Sequence, residues 1–159
     1  MSQKELSRWL RAVVIVGWLG CLLMAIWMMP GLAQDSETAF PEFAYLKWPC
    51  LIFFWCALVP VAAALWFAYK IFAEIGRDNS FCRENAIRLR IISRLALADT
   101  VACLAAMAAL LVLNALHPGV FLLMLAVIVA GAAVTVAAAA LSHLTLKAAN
   151  LQDENDLTI

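Results

Sequence analysis

The chain has 159 residues, of which 66% are hydrophobic and 14% charged, and its formal net charge at pH 7 is zero. No water-soluble domain of this size can hide so much apolar surface, so a soluble globular protein is excluded. Direct binding of nucleic acid is not expected of such a chain.

Four apolar stretches stand out, residues 12–33, 48–69, 95–116 and 120–142, and Asp99 is the one formal charge within them. Each has bilayer length: some 22 residues rise roughly 33 Å as a helix, against a hydrocarbon core of about 30 Å. Strands of a closed barrel would alternate polar and apolar residues, which these runs do not, and helices satisfy their own backbone groups within the segment. The expected fold is therefore all-α, an integral membrane bundle of four transmembrane helices in one domain, residues 1–159.

Before the first helix lie Lys4, Arg8 and Arg11, and Trp9 and Trp27 sit near its ends as interfacial anchors. The helix is expected to end at Pro30-Gly31. Gly31-Leu32-Ala33 has the small-x-small form of a signal-peptide cleavage site, but the run is too long for a signal core and holds two tryptophans, so a retained helix is expected. Gly17 and Cys21 share the spacing of a helix contact face. Residues 34–47, with Asp35, Glu37 and Glu42, read as a short acidic ectodomain without a core.

The second helix begins near Trp48-Pro49 and should kink at Pro60, which removes the hydrogen bond to the carbonyl of Cys56. It continues to Ile75 and stops at Gly76. The connection, residues 70–94, carries Lys70, Arg77, Arg83, Arg88, Arg90 and Arg94. Within it Arg77-Asp78-Asn79-Ser80 reads as a turn and Phe81 to Asn85 as the opening of the third helix, followed by Leu89, Ile92 and Leu95 at helical spacing. Such a basic stretch favours anionic lipid headgroups, although membrane topology alone accounts for most of it.

His117-Pro118-Gly119 is expected to end the third helix in a tight hairpin, making helices three and four antiparallel neighbours. Their small residues, Ala98, Ala102, Ala106 and Ala109 on one and Ala126, Ala130, Gly131, Ala133, Thr135, Ala137 and Ala138 on the other, would form the seam. In the tail, residues 143–159, Leu144, Ala148 and Leu151 prolong a helical stripe for about two turns. Asp153, Glu154 and Asp156 then oppose the helix dipole, which predicts a turn that folds the end back onto Arg83, Arg88 and Arg90. Leu157 and Ile159 would cover Phe81 or Leu89; the competing expectation is a frayed, solvated end.

Lys and Arg crowd the start, residues 70–94 and Lys147, whereas the other two connections hold Lys47 alone. By the positive-inside rule both termini and residues 70–94 are cytoplasmic, and residues 34–47 and 117–119 face outward.

Chemistry-bearing residues are few. Asp99 lies about 7.5 Å deeper than Arg94, which could snorkel toward it. Pairing about position 118 sets Asp99 opposite Ala137, near Thr135. A structural hydrogen bond and a proton or ion relay are the two readings of this residue. His117 and His143 fall at opposite ends of helices and cannot share a metal, and the five cysteines suggest neither disulfide nor zinc. No cofactor, metal or catalytic constellation is expected, and so no enzymatic activity.

Ser80-Phe81-Cys82-Arg83-Glu84-Asn85-Ala86-Ile87-Arg88-Leu89-Arg90, with the terminal Glu154-Asn155-Asp156-Leu157-Thr158-Ile159, resembles the bacterial membrane family known as domain of unknown function 2975. The resemblance covers essentially the whole chain and implies that Phe81, Asn85, Leu89, Arg90 and Asp156, Leu157, Thr158 and Ile159 matter; together with Arg88 of the basic stretch they form the candidate interaction or structural motif. Cys82 departs from the small hydroxyl residue expected as helix cap, which would weaken the cap or shift it to Ser80. Members of that family often adjoin helix-turn-helix regulators, which implies a soluble transcription regulator as partner. The expected function is a non-enzymatic regulatory or interaction protein of the bacterial cytoplasmic (inner) membrane. The alternative is a transporter or channel subunit acting as an oligomer.

Overall fold

The computed structural model describes residues 3–77 and 80–156. The first crossing is α1 (Gln3–Leu23), a π-helical turn (Met24–Met28) and α2 (Met29–Ala39), which follow one another without a break. A 3-10 segment (Pro41–Leu46) leads to α3 (Lys47–Ile75), followed by α4 (Arg83–Val112) and α5 (Pro118–Asp156). All four crossings are long and apolar enough to span a membrane, and few residues of their apolar runs are buried inside the chain. That is how a protein solvated by lipid on its outside is built. The fold class is thus the all-α one of the sequence, with α4 and α5 an antiparallel hairpin.

The bundle is open. α1 and α2 pack on α3, α3 on α4 and α4 on α5, and among the described residues no other pair of these helices is in close backbone contact. A cluster of buried apolar residues, Ile71, Ile92 and Ala138, draws on α3, α4 and α5 and is flanked by Phe67, Phe72 and Leu89.

The first crossing does not end at Pro30-Gly31 but runs on to Ala39, so most of the expected ectodomain is helical. The π turn explains how. The N–H of Met29 donates to the carbonyl of Met24, and Pro30 has no N–H to offer Ala25. The carbonyl of Ala25 accepts instead from the indole Nε1 of Trp55 on α3, at 3.1 Å. A bulge and a neighbouring helix together absorb the missing donor. The helix breaks at Phe40, and Lys47 closes this end with an ion pair to Glu37 at 2.6 Å.

The second hairpin also differs from expectation. α4 stops with Asn114 in the left-handed region at φ 52°. The N–H of Ala115 reaches the carbonyl of Leu110 at 3.0 Å and that of Asn114 the carbonyl of Leu111 at 3.1 Å, a Schellman stop with asparagine in the usual glycine place. His117 then caps α5: its Nδ1 accepts from the N–H of Gly119 at 3.2 Å and its carbonyl from Phe121 at 3.0 Å. His117-Pro118-Gly119 therefore starts the fourth crossing rather than ending the third, because proline is suited to the first helical position.

Candidate interaction site at the basic end

The start of α1, the end of α5 and the α3–α4 junction lie at the same end of the bundle, which holds ten of the eleven Lys and Arg residues. Ser7 of α1 is fully buried, and its Oγ donates to the carbonyl of Phe72 at 2.6 Å while accepting from Arg11 at 3.0 Å. The approach is close because Gly76 has no side chain: a Cβ there would stand 2.6 Å from Ser7 Oγ. Gly76 thus serves the α1–α3 seam as well as the helix stop.

At the opening of α4, Cys82 occupies the N-cap position and its side chain makes no cap bond. Asn85 organises the connection in its place. Its Nδ2 donates to the carbonyl of Ser80 at 3.2 Å, and its Oδ1 accepts from Arg88 at 2.9 Å. Arg88 also pairs with Glu84 at 3.1 Å. Asn85 is only 1% exposed, so this network is internal structure.

The α4–α5 seam is held by hydroxyls that bond backbone carbonyls. Ser142 Oγ donates to Ala86 O at 2.7 Å and Ser93 Oγ to Thr135 O at 2.9 Å. Ile128, Gly131, Thr135, Ala138, Ser142, Thr145 and Ala149 recur with the alternating three-and-four spacing of a coiled-coil face, and Ala86, Ser93 and Thr100 answer at intervals of seven. Ala98, Ala109, Ala126, Ala130, Ala133 and Ala137, expected in the seam, are exposed. Counting small residues at every fourth position missed Ser7, Ser93, Thr100, Ser142 and Thr145; hydroxyls at sevenfold spacing within apolar runs were the available signal.

The pairing of Ser93 with Thr135, and of Thr100 with Gly131, centres the hairpin near residue 115. Asp99 is consequently level with Ala130 and Gly131, not with Ala137. It shares the face of Ile92, seven residues away, and so turns toward the α3 side. Arg94 is about 140° round the helix from it and is exposed. The expected approach of Arg94 does not occur, and the buried Oδ1 of Asp99 has no hydrogen-bond partner.

Of the other motif residues, Leu89 packs against the buried cluster, Arg90 is exposed, and Phe81 is 59% exposed. Leu157, Thr158 and Ile159 lie outside the described residues. Asp156 closes α5, which continues as helix through Asp153 and Glu154, so the expected turn does not occur among the described residues. Carboxylates at a helix end cost a few tenths of a kcal/mol. Burial of Ala149 against the bundle and the good helix formers around it outweigh that. With Ser142 level with Ala86, Asp153 lies about 12 Å beyond the first residue of α4.

This leaves a protruding α5 end with Leu151 on it, and Leu144, seven residues earlier on the same face, is level with the opening of α4; the two are 58% and 64% exposed. Among the described residues no three His, Cys, Asp or Glu side chains are grouped to hold a metal. What the arrangement offers is surface: an apolar stripe with Phe81 and Ile87 exposed on the neighbouring helix opening.

A family model described as protein of unknown function (DUF2975) matches residues 31–159. The chain is 28% identical over 150 residues, 93% of either chain, to the uncharacterized membrane protein YoaS of Bacillus subtilis (strain 168). No solved structure matches it.

Proposed function

We propose, from the premise that the chain belongs to the DUF2975 family, that it is a non-enzymatic membrane regulator whose basic end docks a soluble partner. The observation that carries this reading is the exposed pair Leu144 and Leu151 on the part of α5 that follows the apolar run. Leucines on a helix face in water, with charged residues around them, are the anchors by which a partner helix or groove is held. The positive-inside rule assigns this end to the cytoplasm of a bacterial cell, with the chain in the cytoplasmic membrane. A helix-turn-helix transcription regulator is the proposed partner class, on the resemblance to a family whose members adjoin such proteins.

The test is binding of soluble helix-turn-helix regulators from the same cell to this protein in nanodiscs. Saturable binding is expected, and Leu144→Glu/Leu151→Glu should weaken it by about 2 kcal/mol or more, as loss of a buried anchor does. No binding by the parent protein, or equal binding by the variant, overturns the reading.

One observation favours a second reading, an oligomeric transporter or channel subunit: the Oδ1 of Asp99 is buried without a partner inside the apolar run. Intramembrane carboxylates commonly mark ion or proton paths. In proteoliposomes this reading expects proton or cation flux that Asp99→Asn abolishes; parental flux in the variant removes it.

A further inference from the structure

Independently of any soluble partner, the geometry points to a phospholipid site on α4, in which Arg90 and Arg94 hold the phosphodiester of an anionic lipid and the apolar stripe below them takes an acyl chain. At 100° per residue, Ile87, Arg90, Arg94, Leu97, Val101 and Leu104 fall on one face of α4. All six are exposed; Ile87, Arg94 and Val101 point away from both neighbouring helices, Arg90, Leu97 and Leu104 flank the Ser93 and Thr100 stripe that meets α5, and the whole face is opposite the Ile92 face that meets α3. It is the lipid-facing side of the helix.

The two arginines are one turn apart, about 6 Å along the axis, at the point where the apolar run begins. Like charges at this spacing repel, and the low-dielectric boundary makes an unneutralised pair costly. Neither makes an ion pair within the described residues, whereas Arg88, two residues from Arg90, is tied to Glu84 and Asn85. The fold has thus satisfied the inward arginine and left the outward two for a ligand. A guanidinium pair facing hydrocarbon on one side and headgroups on the other suits a phosphate oxygen pair bound two-pronged. Arg83 continues the stripe but stands about 16 Å above Arg94, past a headgroup layer only about 5–7 Å deep. It supplies the internal control.

Native mass spectrometry of the full chain in detergent tests this without dependence on membrane orientation. The probes are phosphatidylglycerol and phosphatidylcholine with the same acyl chains, and inorganic phosphate as competitor. Phosphatidylglycerol should bind in preference to phosphatidylcholine. At roughly fivefold per arginine, Arg90→Gln/Arg94→Gln should weaken it about twenty-five-fold, with Arg83→Gln within about twofold of the parent. Circular dichroism checks folding; if the double variant does not fold, the two single variants, each expected to lose about fivefold, carry the test. Three results overturn the site: retention of parental affinity by the glutamine variants, equal loss in Arg83→Gln, which would indicate diffuse charge, or displacement of the lipid by inorganic phosphate, which would indicate a free-anion site.

Discussion

Gly131 is where a single atom decides the packing. Thr100 Oγ1 donates to Ala96 O at 2.7 Å, and the Thr135 hydroxyl donates to Gly131 O at 2.8 Å, so both hydroxyls are folded back on their own helices. A Cβ on Gly131 would collide with Thr100 Oγ1, which its β-branched, hydrogen-bonded rotamer keeps in place. In an open helix position alanine is favoured over glycine by about 1 kcal/mol, so the sign of the effect is diagnostic. Gly131→Ala is expected to destabilise the protein by about 1–3 kcal/mol in unfolding titrations in mixed micelles, and Thr100→Ala/Gly131→Ala to recover most of that loss. A neutral or stabilising Gly131→Ala would show that α4 and α5 do not approach this closely.

At the scale of the helices, the sequence is legible where the signal is one-dimensional and less so where a neighbour intervenes. Run length and hydropathy locate all four crossings, and proline and glycine mark Pro60 within α3 and Gly76 at its end. The same punctuation misleads at Pro30, because Trp55 on another helix takes up the carbonyl that proline leaves unpaired. It misleads again at His117-Pro118-Gly119, since asparagine at position 114 performs the stop and proline the start. At the basic end, Phe81 and Arg90 are surface residues as an interaction motif requires, while Asn85 and Leu89 are internal. A motif read along the chain does not separate the two, because period-3.6 geometry turns adjacent residues to opposite faces. The Asp99 environment was hardest to read, since its level depends on the hairpin centre and three residues of error there move its opposite number by six.

For the molecule as a whole, the two ends of the open row of four crossings differ in charge. Ten basic side chains crowd the end with the start of α1 and the end of α5; the other end has Lys47, already paired with Glu37, alongside Asp35 and Glu42. At the basic end Ser7 and Ser142 bond carbonyls of neighbouring helices and Asn85 ties down the α3–α4 connection; at the other end Lys47 of α3 is paired with Glu37 of α2. Cations near the crossing ends are retained on the cytoplasmic side during insertion, whereas acidic residues contribute little to orientation. The decision therefore falls on Lys and Arg placement, which is one-sided here. Single cysteines placed at Glu42 and Phe81, both exposed, in a background with the five native cysteines replaced, report it directly. A membrane-impermeant maleimide applied to intact cells is expected to label position 42 and to reach position 81 only after the cells are opened. Labelling of position 81 from outside would invert the molecule and place the Leu144–Leu151 stripe outside the cytoplasm, beyond the reach of any transcription regulator.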